Sequence, residues 1–101
     1  MHAELFKALG DETRLGLIAR LSQDGPASIV RLSTGAGMTR QAVTKHLNVL
    51  SRARLVRHRR HGRETLWDLE PEGFDAARAF IDAMSRQWDA RLEALRQFVE
   101  D

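Results

Sequence analysis

The chain of 101 residues contains no cysteine and no long apolar run. Without cysteine it can form no disulfide and offers no thiolate to a metal ion, which fits a reducing compartment such as the cytoplasm. No run approaches the roughly 20 apolar residues of a membrane-spanning helix, and the first ten residues lack the apolar core of a secretion signal. We therefore expect one cytoplasmic domain over residues 1–101.

Acidic residues are missing from the middle of the chain. Between Asp24 and Glu64 there is no Asp or Glu, whereas the same segment holds nine Lys and Arg residues. Residues 1–69 carry a formal charge of +6 and residues 70–101 carry −4, within a total of +2. Solvated surfaces normally mix both signs, so the segment indicates a polyanionic partner. Double-stranded DNA is the leading candidate, with a membrane surface or an acidic protein as alternatives.

Residues 39–54 have the pattern of one amphipathic helix. Val43, Leu47 and Leu50 fall within roughly 60° of one another at 100° per residue, which makes one apolar edge. The remaining surface carries hydrogen-bond donors and no acid, as a helix that enters the DNA major groove requires. We predict DNA contacts from Thr39, Arg40, Gln41, Thr44, Lys45 and His46.

These six residues differ in the expected contact. Arg40 and Gln41 are the best candidates for base edges, because guanidinium and amide groups can make two hydrogen bonds to one base. Thr44 and Lys45 can serve bases or phosphates. His46 lies nearer the apolar edge, which favours a structural or phosphate-contacting role.

Residues 55–69 form two strand-like runs that His61-Gly62-Arg63 joins, as in a β-hairpin. Thr65, Trp67 and Leu69 alternate onto one face, which we expect to be the core side. The tip is cationic, and its predicted role is to contact phosphates or the minor groove. The predicted contacts are Arg59, Arg60, His61 and Arg63.

Shorter helices precede this region. Asp11, Ser28 and Thr39 each stand where a helix would begin, and all three residue types favour the N-cap position. The buried stripe expected in the second helix consists of Leu15, Ile18 and Ala19, and it can include Leu21. A short third helix, a glycine-containing turn and the capped fourth helix make a helix-turn-helix.

Residues 71–99 are predicted to form one long helix with an apolar stripe of about seven turns, longer than a small domain can cover. We expect this stripe and the first helix to pack against a second copy of the chain. Such a pairing would place two recognition helices roughly 34 Å apart, as a palindromic site requires. The predicted interface residues are Leu5, Phe6, Phe74, Ala77, Ile81, Met84, Trp88 and Leu95.

The segments LFKALGDETRLGLIARL and MTRQAVTKHLNVLSRARLVRHRRHGRETLWDL, within residues 3–70, resemble the ArsR-type winged-helix transcriptional repressors of bacteria. The resemblance implies a mainly α fold with a small β-hairpin, in the order α-α-α-α-β-β-α, that dimerises through its first and last helices. It also implies homodimers that bind palindromic operators. The best-known members release DNA when a metal binds.

The metal sites familiar in that family are not matched here. A thiolate pair in the third helix is impossible, since the corresponding stretch is Ser28-Ile29-Val30-Arg31, and the last helix has acids but no histidine. His58 and His61 stand among arginines, which disfavours a bound cation. We therefore predict no metal site and no cofactor, and the effector is unknown. Met84 and Trp88 could line an apolar effector pocket, although plain interface packing is the favoured interpretation.

Together these patterns predict a sequence-specific DNA-binding regulator that is not metal-responsive, a repressor acting on a palindromic operator as a homodimer. One alternative is a protein-interaction module that uses the basic face and the helical stripe. Another is a metal-responsive repressor with an unusual site. The sequence contains no nucleophile–base arrangement or phosphate-cradling glycine loop, so an enzyme is not expected.

Overall fold

The computed structural model describes residues 2–100 as a mainly helical domain with one small sheet. The order of the predicted helices and hairpin is confirmed. The elements are α1 (His2–Leu9), α2 (Glu12–Asp24), β1 (Ala27–Ser28), α3 (Ile29–Ser33), α4 (Arg40–Arg52), β2 (Val56–His61), β3 (Glu64–Leu69) and α5 (Pro71–Glu100).

The sheet has three antiparallel strands in the order β1-β3-β2, one strand more than the predicted hairpin. The additional strand β1 pairs Ala27 with Trp67. A two-residue strand is too short to show a period-two pattern, so only its pairing with a distant segment reveals it. Between β2 and β3, His61 pairs with Glu64 and leaves a two-residue turn, whose first residue Gly62 has φ 65°. Glycine adopts that backbone conformation without steric cost.

Three helices begin at the predicted capping residues. The Asp11 carboxylate accepts a hydrogen bond from the Arg14 amide at 3.0 Å, and the Thr39 hydroxyl accepts one from the Ala42 amide at 3.1 Å. Ser28 caps α3 in the same way. Each bond satisfies an amide that the first helical turn leaves free, so the starting points of α2, α3 and α4 are fixed locally.

The core is made from one side of each helix and the inner face of the sheet. Val43, Leu47 and Leu50 are fully buried, which confirms the apolar edge predicted for α4. Trp67 is buried, and Leu69 packs against the core from the same strand. Other elements contribute Leu5, Ala8, Leu17, Leu21, Ala27, Leu32, Leu55, Val56 and Ala77.

The predicted buried stripe of α2 is confirmed at Ile18 and Leu21 and is wrong at Leu15 and Ala19. Leu15 is 49% exposed and Ala19 is exposed, whereas Leu17 and Leu21 are 4% and 2% exposed. The inner side of α2 thus consists of residues 14, 17, 18 and 21. This side is hard to recognise from the sequence because its first residue, Arg14, is a cation. Arg14 lies on this side since its guanidinium is consumed by hydrogen bonds to neighbouring helices.

Helix α5 begins in close contact with the turn between α4 and β2. The Gly73 amide donates to the Arg54 carbonyl oxygen at 2.8 Å, and the Glu70 amide donates to the Leu55 carbonyl oxygen at 2.9 Å. A methyl group on Gly73 would lie 2.8 Å from the Ala53 carbonyl oxygen, which is too close for a real contact. The end of α4 is therefore held directly against the start of α5.

Beyond its first turns, α5 leaves the body of the protein. The protein measures 67 × 25 × 23 Å, and the large side chains along the outer part of α5 are exposed, with Trp88 at 60%. The exposed stripe consists of Ile81, Met84, Trp88, Leu92, Leu95 and Val99. No helix within residues 2–100 combines the length and apolar character of a membrane span.

Four of the predicted interface residues have neighbours within the same chain. Leu5 and Ala77 are buried where α1 meets α5, so they belong to the core of one protomer rather than to an exposed stripe. Phe6 and Phe74 are half-buried and pack against that core. The prediction had assumed that α1 and the first turns of α5 present these side chains outward, whereas the two helices cover each other.

Candidate nucleic-acid interface

The first turns of α4 expose polar and cationic side chains opposite the buried edge. Arg40, Gln41 and Lys45 are exposed, and each carries hydrogen-bond donors. Because Thr39 caps the helix, the position of this first turn is set by the helix itself rather than by a flexible loop. The arrangement presents a guanidinium, an amide and an ammonium group from one helix end.

Thr44 is less free than its neighbours. Its hydroxyl donates to the Arg40 carbonyl oxygen at 2.8 Å, and the residue is half-buried. The hydroxyl proton is therefore used inside the helix, which leaves the oxygen lone pairs and the methyl group for a partner.

His46 lies apart from the exposed donors. Its Nδ1 is 3.2 Å from an Arg14 Nη and 3.9 Å from an Asp11 carboxylate oxygen, and its side chain is only 23% exposed. The structure thus places one side of the imidazole against α2, in agreement with its position near the apolar edge of α4. The remaining exposure is small compared with that of Arg40 or Gln41.

The cations of the hairpin are exposed along β2 and its turn. Arg59, Arg60, His61 and Arg63 all face solvent. Arg57, one step closer to the body, pairs instead with Glu70 at 3.7 Å across an exposed surface. The His58 ring stacks on Trp67 with centroids 4.6 Å apart, so this histidine covers the core and is not part of the tip.

The positive charge of both elements is uncompensated. Within residues 2–100, none of the arginines and lysines at the exposed start of α4 or at the hairpin tip forms an ion pair. The ion pairs of this part of the chain involve other cations, such as Arg54 with Glu72 at 3.5 Å. Unpaired cations on a rigid helix and hairpin are suited to phosphate contacts, because no internal pair must be broken when DNA binds.

The acid nearest to α4 is Asp11, and its pKa is lowered. The hydrogen bond from the Arg14 amide is the largest cause, and the nearby Arg14 guanidinium acts in the same direction, against partial desolvation. Asp11 therefore stays ionised as a helix cap. In the part of the chain described, no three His, Cys, Asp or Glu side chains converge on a point where a metal ion could be held.

The residue that the sequence analysis missed is Arg14. Its Nε donates to the Ala8 carbonyl oxygen at 2.7 Å, one Nη donates to the Lys7 carbonyl oxygen at 3.2 Å, and the other Nη contacts His46. A cation at the same helical spacing as Leu17 and Leu21 is the sequence signal that could have revealed it.

A capped recognition helix followed by an exposed cationic hairpin is the arrangement of a winged helix-turn-helix regulator. The helix-turn-helix domain family matches residues 9–59 of the chain. The HTH-type transcriptional regulator Rv2034 of Mycobacterium tuberculosis is 35% identical over 94% of this chain and 85% of its own length. The arsenical resistance operon repressor of Escherichia coli is 30% identical over 91% of this chain and 79% of its own length.

Solved structures of winged helix-turn-helix regulators also superpose on the chain. An ArsR-like transcriptional regulator from Rhodococcus sp. RHA1 superposes with a TM-score of 0.83 and 33% identity, covering 96% of this chain and 93% of that one. The homodimeric winged helix-turn-helix DNA-binding domain of a possible ArsR-family regulator from Mycobacterium bovis superposes with a TM-score of 0.65 and 30% identity, covering 90% and 81%. The chain belongs to the ArsR-type helix-turn-helix transcriptional regulators.

Proposed function

We propose that the protein is a sequence-specific repressor that binds a palindromic operator as a homodimer and acts in the cytoplasm. The observation that carries the proposal is the pairing of an exposed, acid-free start of α4 with an exposed cationic wing formed by β2 and β3. In this proposal α4 reads base edges in the major groove, and the wing holds the neighbouring phosphates. A repressor role is supported by the similarity to the E. coli repressor.

The homodimer is supported by the exposed stripe of α5. Six large apolar side chains along one side of a helix that projects from the body would be costly to leave in water. The M. bovis relative with the same fold is a homodimer. Pairing about a two-fold axis would present two recognition helices roughly one DNA turn apart, which matches an inverted repeat.

The experiment is a selection of bound fragments from genomic DNA, followed by affinity measurements on the strongest sequence and on a scrambled duplex of equal length. Gln41→Ala should reduce the preference for the selected sequence, because an amide that reads a base edge contributes about 1–3 kcal/mol of discrimination. Arg63→Ala should weaken binding to both duplexes and lower the slope of log affinity against log salt by about one.

The two variants serve as controls for each other. Equal losses on both duplexes for Gln41→Ala would contradict its role in base reading. If the wild-type protein enriched no sequence and ignored DNA at low ionic strength, the alternative of a protein-interaction module, in which α5 recruits another chain, would replace the proposal.

We further propose that release from DNA does not depend on a metal ion. His46 and Asp11 approach each other, but the Arg14 guanidinium lies beside them. Its positive charge opposes the binding of a metal cation there. Adding Zn, Cd or Ni should leave the affinity for the selected operator unchanged. A loss of affinity with one of these ions would instead support a metal-responsive repressor with an unusual site.

A further inference from the structure

A polar cluster connects three helices behind the recognition surface. The Arg14 guanidinium of α2 donates to the carbonyl oxygens of Ala8 and Lys7 at 2.7 and 3.2 Å, and it contacts His46 Nδ1 of α4 at 3.2 Å. Asp11 holds the Arg14 backbone in place through its cap bond. One side chain therefore joins the end of α1 to the middle of α4.

The chemistry of the cluster suits a rigid joint. The last carbonyl groups of a helix lack partners within the helix and carry partial negative charge, so a guanidinium at the end of α1 is well matched. The planar guanidinium has five donors in a fixed geometry, which a lysine ammonium cannot reproduce. Because arginine only donates, this contact is a hydrogen bond in the imidazole tautomer whose Nδ1 carries no proton.

This joint is the only directional contact from a side chain of α4 to another helix within residues 2–100. Helix α4 is also held by the apolar packing of Val43, Leu47 and Leu50 and, just beyond its last residue, by the backbone hydrogen bond from Gly73 to Arg54. The side-chain bonds of Thr39 and Thr44 stay within the helix. Apolar packing resists separation but is not directional, whereas a hydrogen bond fixes orientation. The orientation of the middle of α4 relative to α1 and α2 therefore depends on the contact between Arg14 and His46, whereas the backbone bond from Gly73 acts at the far end of the helix.

The other end of the joint leads to α5. Phe6 of α1 packs on Phe80 of α5 with ring centroids 5.3 Å apart, and His2 packs on the same ring at 4.9 Å. Helix α1 is thus held to the helix that carries the exposed stripe. The route from α5 through α1 and Arg14 to α4 consists of direct contacts at every step.

We propose that Arg14 is a positioning residue for DNA recognition: through His46 it fixes the orientation of α4 relative to α1 and α5, and so sets operator selectivity without touching DNA. The inference rests on the proposed DNA-binding function and adds to it a residue outside the recognition surface. In a homodimer, two recognition helices must meet two half-sites at once, so a small error in the orientation of each helix reduces specific binding more than non-specific binding.

The test compares Arg14→Lys with Arg20→Lys in the full-length protein. Arg20 is a matched control, because its guanidinium donates to the Leu32 and Arg31 carbonyl oxygens at 2.8 and 2.9 Å at the end of α3, and within residues 2–100 it forms no hydrogen bond with α4. The probes are the duplex selected by the wild-type protein and a scrambled duplex of equal length, with the active fraction of each protein titrated first.

For Arg14→Lys we expect the ratio of the two affinities to fall by about tenfold, as the loss of one charged hydrogen bond implies. The salt slope on the scrambled duplex should stay unchanged, since no phosphate contact is lost. For Arg20→Lys the ratio should remain that of the wild type. A purely structural Arg14 would lower the melting temperature and the active fraction but would leave the ratio intact, which would overturn the proposal.

A second pair of variants keeps the test independent of folding. His46→Leu removes the acceptor while Arg14 keeps its bonds to α1, and it should reduce the ratio as Arg14→Lys does. His46→Asn, which retains a side-chain acceptor, should restore most of the ratio. In the double variant of Arg14→Lys and His46→Leu the effects on the ratio should not add, because both substitutions remove the same contact between Arg14 and His46.

Other outcomes exclude the inference separately from the proposed function. Additive effects, or a salt slope lowered by about one in either His46 variant, would show independent or direct DNA contacts and would overturn the positioning role. Failure of the wild-type protein to select any sequence would instead count against the proposed function itself.

Discussion

At the residue scale, arginine side chains serve different purposes depending on where the fold places them. Arg59 and Arg63 are unpaired and exposed at the wing, whereas Arg14 is turned inward and shared among α1, α2 and α4. Residue type alone predicted the first group, since an acid-free run of cations is visible in the sequence. It could not predict the second, because the acceptors of Arg14 are backbone carbonyls and a histidine 32 positions away.

Asp11 offers a prediction at this scale. The pKa of its carboxyl is below the ordinary value of 3.8, chiefly because the Arg14 amide donates to it. A group with a lowered folded-state pKa contributes stability above its unfolded pKa and loses that contribution as the pH falls through the folded value. We expect the melting temperature of the wild type to fall more steeply below about pH 4 than that of Asp11→Asn, which keeps a capping oxygen but does not titrate.

The measurement is thermal unfolding followed by circular dichroism between pH 7 and pH 3, with both proteins at one concentration. Parallel curves for the wild type and Asp11→Asn would show that this carboxyl does not carry the acid sensitivity.

At the element scale, the structures that depend on local signals were predictable. The α4 helix follows from a cap and an apolar period, and the wing follows from strand propensity with a glycine turn. Elements defined by distant partners were not: β1 exists because Ala27 pairs with Trp67. The buried side of α2 was predicted only in part, at Ile18 and Leu21, because two stripes fit its apolar residues and the packing of α1 and α4 decides between them.

The close contact between Gly73 of α5 and the turn after α4 gives a prediction at the element scale. Gly73→Ala should lower the free energy of unfolding by about 1–3 kcal/mol, because its methyl group would overlap the backbone at Ala53 and Arg54. The matched control is Gly16→Ala in α2, where a methyl group meets nothing within 4 Å. That change should raise the free energy of unfolding by about 0.5–1 kcal/mol, as alanine is the better helix former.

Urea unfolding of the two variants at the same protein concentration distinguishes the cases. Unchanged stability for Gly73→Ala would mean that the close approach of α5 to the α4–β2 turn does not constrain the fold.

At the scale of the whole molecule, the shape is set by how little of α5 the rest of the chain covers. The sequence predicted the length of the apolar stripe, since its period runs on after the residues that one domain can bury. It did not show which part of the stripe is buried within one protomer and which part stays exposed. Leu5 and Ala77 were therefore assigned to the dimer interface, although both are buried where α1 meets α5 in one protomer. The exposed stripe begins further along α5, near Ile81.

We expect Trp88→Arg to separate the two protomers, because it places a cation in the middle of the stripe. The dimer dissociation constant should rise about thirtyfold or more, given that a central interface tryptophan is typically worth about 2 kcal/mol or more. Ala90→Arg introduces the same charge on the opposite side of α5 and should leave the dimer intact. Analytical ultracentrifugation of both variants, with operator binding measured at the same concentrations, provides the readout.

If Trp88→Arg stayed dimeric while still binding its operator, the protomers would have to associate through another surface. Binding by a monomeric variant with undiminished affinity would contradict the two-fold arrangement.

The projecting half of α5 also bears on how the protein would respond to its own abundance. When protomers are scarce, the concentration of pairs rises with the square of the protomer concentration, by mass action. If only pairs fill an operator, promoter occupancy increases twice as steeply on a logarithmic scale as it would for a single-chain reader. The exposed apolar stripe of α5 would in this way give the gene a threshold in protomer concentration. Transcription would proceed below this concentration and be repressed steeply above it.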